Sequence, residues 1–104
     1  MRWRFGRVAV DGDSMLPSLY PGDWLVVRWG VRTRPGDVVV ARRPDRPSLL
    51  IVKRAIHQTS HGWLLEGDNP SASDDSRLFG PVDGGLVLGR VLFRYWPVRR
   101  RRGR

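Results

Sequence analysis

Pro21-Gly22-Asp23-Trp24-Leu25-Val26-Val27 is a turn signal running directly into a β-rich stretch that extends to Trp29. Proline presets φ for the second residue of a turn, glycine accepts the positive φ that follows, and aspartate can close the turn with its own carboxylate. The device returns as Pro35-Gly36-Asp37-Val38-Val39-Val40, which reads as a strand to Ala41. Val-, Leu- and Trp-rich runs fenced by such turns favour strands. The two units look like successive hairpin arms.

Other strand candidates lie on either side. Arg7 to Val10 precedes the pair; Leu49 to Ile56, Trp63 to Leu65, and Leu86 to Trp96 follow it, the last interrupted by Gly89. Pro44 to Pro47 marks a loop and His61-Gly62 a turn. Twelve glycines and eight prolines among 104 residues disfavour long helices, and Pro17 and Pro21 leave room for at most one helical turn between them. Six or so short strands predict an all-β fold, a small antiparallel sheet or half-open barrel. This length supports a single core. The expected organisation is one β domain over residues 1–97 and a basic C-terminal tail over residues 98–104.

The formal charge is +9, from 19 basic and 10 acidic residues. Much of it sits at the ends, in Arg2, Arg4 and Arg7 and in Arg99-Arg100-Arg101-Arg102-Gly103-Arg104. Such ends are solvated tails in the first instance, and anionic lipid or nucleic acid is the partner class they attract otherwise. No apolar run approaches the roughly 18 residues a membrane span needs, and residues 1–13 hold no apolar segment of a signal peptide. Cysteine is absent, which excludes disulfides, thiolate metal sites and a cysteine nucleophile.

A hydrolase needs a nucleophile, a base and an oxyanion site. Ser14 lies in Gly12-Asp13-Ser14-Met15, a tight turn able to hold a hydroxyl clear of the sheet and aim its backbone N–H at an oxyanion. An ordinary turn serine bonded to nearby backbone fits the same residues. Lys53 lies in Leu49-Leu50-Ile51-Val52-Lys53-Arg54-Ala55-Ile56, an apolar setting for a lysine. On a desolvated wall its amine becomes a neutral base; on a sheet edge it is a solvent-facing guard. Alternation sends Arg54 to the opposite face. His57 and His61 stand four apart with glycine and β-rich flanks around them, so no metal site is expected. Residues 67–77 form a long polar loop in which Asp75 and Arg77 are placed to pair, and a serine of this loop is available to orient a lysine amine.

Taken in order, these pieces resemble the signal peptidase I family of serine proteases. Ser14-Met15 with Pro17 and Gly22-Asp23 looks like the nucleophile box, and Gly36-Asp37-Val38-Val39-Val40 like the strand after it. Lys53-Arg54 matches the lysine box. Gly67-Asp68-Asn69 through Asp75-Ser76-Arg77, with Gly80 and Val82, matches the last box. The resemblance implies a catalytic-core β-fold, Ser14 as nucleophile, Lys53 as general base, Ser73 bonding the lysine, Asp75 and Arg77 supporting the loop, and no cofactor or metal. Where some members carry a serine two positions before the nucleophile, Gly12 stands here, so no side-chain donor joins the Ser14 N–H. The short, arginine-rich form with no anchor in the sequence looks like the proposed maturation protease of nickel-type superoxide dismutase. That likeness implies a cytoplasmic enzyme, at most peripheral to a membrane, acting on a precursor with a flexible N-terminal segment, with no nucleic acid partner. Two rivals remain. One is a self-cleaving repressor-type domain with a Ser-Lys dyad. The other is a basic β-barrel that binds nucleic acid through Trp3, Arg4, Phe5, Phe93, Arg94, Tyr95 and Trp96.

Overall fold

Asp23 and Asp37 each close the same turn. In Tyr20-Pro21-Gly22-Asp23 the Asp23 N–H donates to the Tyr20 carbonyl (3.0 Å), and its carboxylate accepts from the Tyr20 N–H (2.9 Å). In Arg34-Pro35-Gly36-Asp37 the corresponding contacts with Arg34 are 3.0 and 2.8 Å. Gly22 and Gly36 hold φ of +91° and +93°, the value the third residue of a type II turn requires. The turns thus fix where two strands begin.

The computed structural model describes residues 4–72 and 75–97. Ser73 and the arginine tail lie outside them. The strands are β1 (Phe5–Ala9), β2 (Trp24–Trp29), β3 (Val38–Arg43), β4 (Arg46–Thr59), β5 (Gly62–Glu66) and β6 (Val87–Trp96), with one helical turn, α1 (Ser76–Phe79). They form one open sheet in the order β1-β2-β6-β3-β4-β5, each neighbour antiparallel to the next. The fold is all-β, as the turn spacing implies.

The two Pro-Gly-Asp strands do not pair with each other. β6 lies between them, opposite β2 through Val27↔Val91 and Arg28↔Arg90 and opposite β3 through Val39↔Arg90 and Val40↔Gly89. Gly89 does not interrupt β6. A Cβ there would come within 2.7 Å of Trp29 and 2.8 Å of the Arg28 carbonyl, so glycine lets β6 lie flat against β2. β4 is longer than its apolar run, because the turn is confined to Pro44-Asp45 and Pro47 sits, among the described residues, beyond the pairing with β5 and at a register shift against β3.

The sheet carries a core on each face. Val10, Leu25, Val27 and Val40 are buried together on one, and Val39, Ala41, Ala55, Trp63, Leu65 and Val82 on the other. β3 belongs to both, which explains its unbroken Val38-Val39-Val40-Ala41 in place of alternation. Each fully buried Val or Leu is worth about 1.5–3 kcal/mol.

Candidate active site

The loop between β1 and β2 carries Ser14. Its base is closed by two backbone bonds, Val10 N–H to Asp23 carbonyl (2.8 Å) and Gly22 N–H to Val10 carbonyl (2.9 Å). Met15, fully buried, pins the loop to the domain. Ser14 itself is half-buried. Among the described residues nothing accepts a hydrogen bond from its backbone N–H.

Lys53 comes from β4, opposite Val39 of β3, and is only 4% exposed. It is therefore not a solvent-facing edge lysine. Ser14 and Lys53 together line two adjoining clefts. One, of about 460 Å³, is walled by Asp11–Ser14, Ile51 and Pro70–Ala72. The other, of about 360 Å³, runs between Val8–Asp11 of the first strand region and Leu49–Lys53 of β4. Arg43, a second cation on the first cleft, pairs with Asp45 (2.6 Å) and lies over the Phe79 ring, 5.3 Å from its centroid.

Three residues hold the two halves of the site together. Arg54, on the opposite face from Lys53, donates to Asp68 from Nε and Nη2, each at 2.9 Å, and to the Gly36 carbonyl at 2.8 Å. Asp68 also accepts from the Ser18 hydroxyl (2.6 Å). The Arg54 hydrogen bonds, helped by Ser18 and opposed by partial burial, hold the Asp68 carboxyl below the usual carboxylate range. Asn69 then clamps the Ser14 turn directly, donating from its N–H to the Ser14 carbonyl (2.8 Å) and from Nδ2 to the Asp13 carbonyl (3.0 Å). The motifs around Lys53-Arg54 and Gly67-Asp68-Asn69 were visible in the sequence, but nothing there said that Arg54 and Asp68 meet, nor that Asn69 reaches Ser14.

Asp75 is fully buried and caps α1. Its carboxylate accepts from the Gly67 N–H (2.8 Å), the Arg77 N–H (3.1 Å) and Arg77 Nε (2.9 Å). The next residue, Ser76, accepts from the Leu65 N–H through its hydroxyl (2.6 Å). The polar loop is thus stitched to the end of β5. His57 and His61 are exposed and line neither cleft. Among the described residues no three metal-ligating side chains gather.

The all-β scaffold thus lines its clefts with a turn serine and a buried lysine, and comparisons with known proteins show the family. Residues 6–80 match the Peptidase S24-like family, to which the chain belongs. It is similar to mitochondrial inner membrane protease subunit 1 of Mus musculus, 33% identical over 88% of this chain and 70% of that one. Against subunit 1b of the mitochondrial ATP-independent inner membrane protease of Arabidopsis thaliana the identity is 33% over 85% and 68%. Subunit 2 of the Danio rerio protease is 36% identical over 88% and 64%. The chain is a signal-peptidase-like protease.

Proposed function

We propose that Ser14 and Lys53 form a nucleophile–base pair that cleaves precursor proteins through an acyl-enzyme. The observation that carries this reading is the burial of Lys53 on the wall it shares with Ser14. Withdrawal from water disfavours the ammonium, and a neutral amine is the form that accepts a proton. Lys53 takes the Ser14 hydroxyl proton as Oγ attacks the scissile carbonyl. The oxyanion receives the Ser14 N–H. Collapse expels the amine, which leaves with the proton from Lys53. Water, deprotonated by the Lys53 amine, then attacks the ester; the Ser14 Oγ–acyl bond breaks, the acid leaves, and Lys53 returns the proton to Oγ. Ser73, from the loop next to Asp75, is assigned the hydrogen bond that orients the amine. Asp75 and Arg77 shape that loop.

The substrate is read as an extended, flexible N-terminal segment on a folded precursor. The 360 Å³ groove lies between β1, at the end of the strand order, and the part of β4 before Arg54, which among the described residues lies beyond the β5 pairing. Two strand edges flanking one groove suit a chain that adds as a strand. The groove's Val8, Val10, Leu49 and Val52 suit small apolar side chains. The precursor of nickel superoxide dismutase is the specific substrate the sequence resemblance suggests; an exported preprotein is the other. No described helix is long and apolar enough to cross a membrane, and the relatives are named for an inner membrane. The sequence resemblance suggests a cytoplasmic enzyme, and the relatives' names suggest work at a membrane surface. Incubation with each precursor, followed by N-terminal sequencing of the products, tests the substrate. Cleavage of the preprotein alone rejects the dismutase precursor and keeps the dyad; cleavage of neither by wild type rejects both.

A further inference from the structure

A third cleft, of about 610 Å³, shares no lining residue with the two that hold Ser14 and Lys53. It is walled by Arg28 of β2, Arg90 of β6, Arg32, Thr33 and Arg34 of the β2–β3 connection, and Gln58 of β4. Four arginines line one concavity, and no carboxylate is among the described residues that line it. Arg28 and Arg90 stand opposite each other in the sheet register, so two of the four are fixed by rigid strands. The other two are carried by the segment that ends in the Asp37-closed turn.

We propose that this cleft binds a phosphate-bearing ligand. Guanidinium forks match phosphate oxygens bidentately, and Thr33 and Gln58 add neutral donors to the same wall. A carboxylate ligand uses only one fork well; a phosphate, with more oxygens in three dimensions, uses several. Two sources offer that chemistry, a soluble polyphosphate and a phospholipid headgroup. Phe5 stands opposite Arg28 in the register and is 54% exposed, and Phe93, opposite Val26, is 56% exposed. Neither ring lines the cleft, but exposed apolar side chains on the same strands suit a headgroup source.

Calorimetric titration of the full chain with inorganic pyrophosphate, and flotation with vesicles of phosphatidylglycerol against phosphatidylcholine, test the site and separate its sources. Two double variants are compared, Arg32→Gln with Arg34→Gln in the cleft and Arg42→Gln with Arg46→Gln outside it. Both remove the same charge from exposed or half-exposed positions. Pyrophosphate binding that falls by about tenfold or more in the cleft variant, with the control close to wild type, is expected. Retention of phosphatidylglycerol vesicles that follows the same pattern assigns the headgroup; pyrophosphate binding without it assigns a soluble ligand. Equal losses in both double variants reduce the effect to net charge and overturn the proposal, as does the absence of both kinds of binding in wild type. RNA binding that tracks the cleft while pyrophosphate and vesicles do not bind also overturns it.

Discussion

Arg54 grips Asp68 through two parallel hydrogen bonds of 2.9 Å, Nε to Oδ1 and Nη2 to Oδ2. Because Arg54 follows Lys53, and Asp68 holds Ser18 and precedes Asn69, this one pair ties the lysine strand to the nucleophile turn. As a part-exposed ion pair it contributes at most about 1 kcal/mol to stability. Its weight lies in geometry, where small misplacements of reacting groups cost far more in rate than in folding.

Asp68→Asn should therefore lower kcat by about 10- to 100-fold, with KM and Tm little changed. Arg54→Lys should not rescue it, because an ammonium cannot reproduce the two-pronged contact. The pH dependence has a definite sign. The Asp68 carboxyl is held below its ordinary range by Arg54, so its contribution is complete above the unfolded pKa of about 3.9 and is lost as pH falls through the lower folded value. Acid unfolding of Asp68→Asn should lack that component. Kinetics and acid melts equal to wild type would remove Asp68 from the site's support.

Asp75→Ala deletes the cap of α1 and the acceptor for the buried Gly67 N–H. A loss of about 2–3 kcal/mol is expected from those two contacts, read as a lower denaturant midpoint with an unchanged m-value. Activity should fall as well, since the same loop leads to Ser73. Ser73→Ala should slow turnover and leave some activity, because the hydrogen bond proposed to orient the amine is lost while the dyad is kept. Wild-type behaviour in both variants would make residues 67–77 a plain connector.

How far the sequence could be read follows from the range of each interaction. The Pro-Gly-Asp turns were legible because their bonds join residues three apart, and β2 begins and ends where its apolar run does. The insertion of β6 between β2 and β3 was not legible, since strand order depends on pairing across 46 to 72 residues. Gly89 looked like a breaker because the close approach of Trp29 that demands it comes from a distant strand. Lys53 in its apolar run was conspicuous, yet local alternation could not separate a buried base from a guarded edge. The Arg54–Asp68 pair spans 14 residues and Ser18–Asp68 spans 50, and neither carries a local signal beyond the family-like motifs around it.

Lys53→Met keeps most of the stem volume while removing the amine. It should fold and be inactive at every pH. In wild type, kcat/KM should rise with pH along one limb as the Lys53 ammonium loses its proton. That limb should persist in Asp68→Asn, which leaves the amine in place. A Lys53→Met enzyme with wild-type rate and pH profile would exclude the lysine as base.

The pairing of Ser14 with Lys53 is tested most directly by intact-mass measurement after exposure to a penem, a serine-acylating β-lactam. Wild type should gain one inhibitor mass, mapped by peptide analysis to Ser14, faster as pH rises. Ser14→Ala should gain none, and Lys53→Met should acylate at a small fraction of the wild-type rate. An adduct that survives in Ser14→Ala, or forms in Lys53→Met as fast as in wild type, would contradict the account.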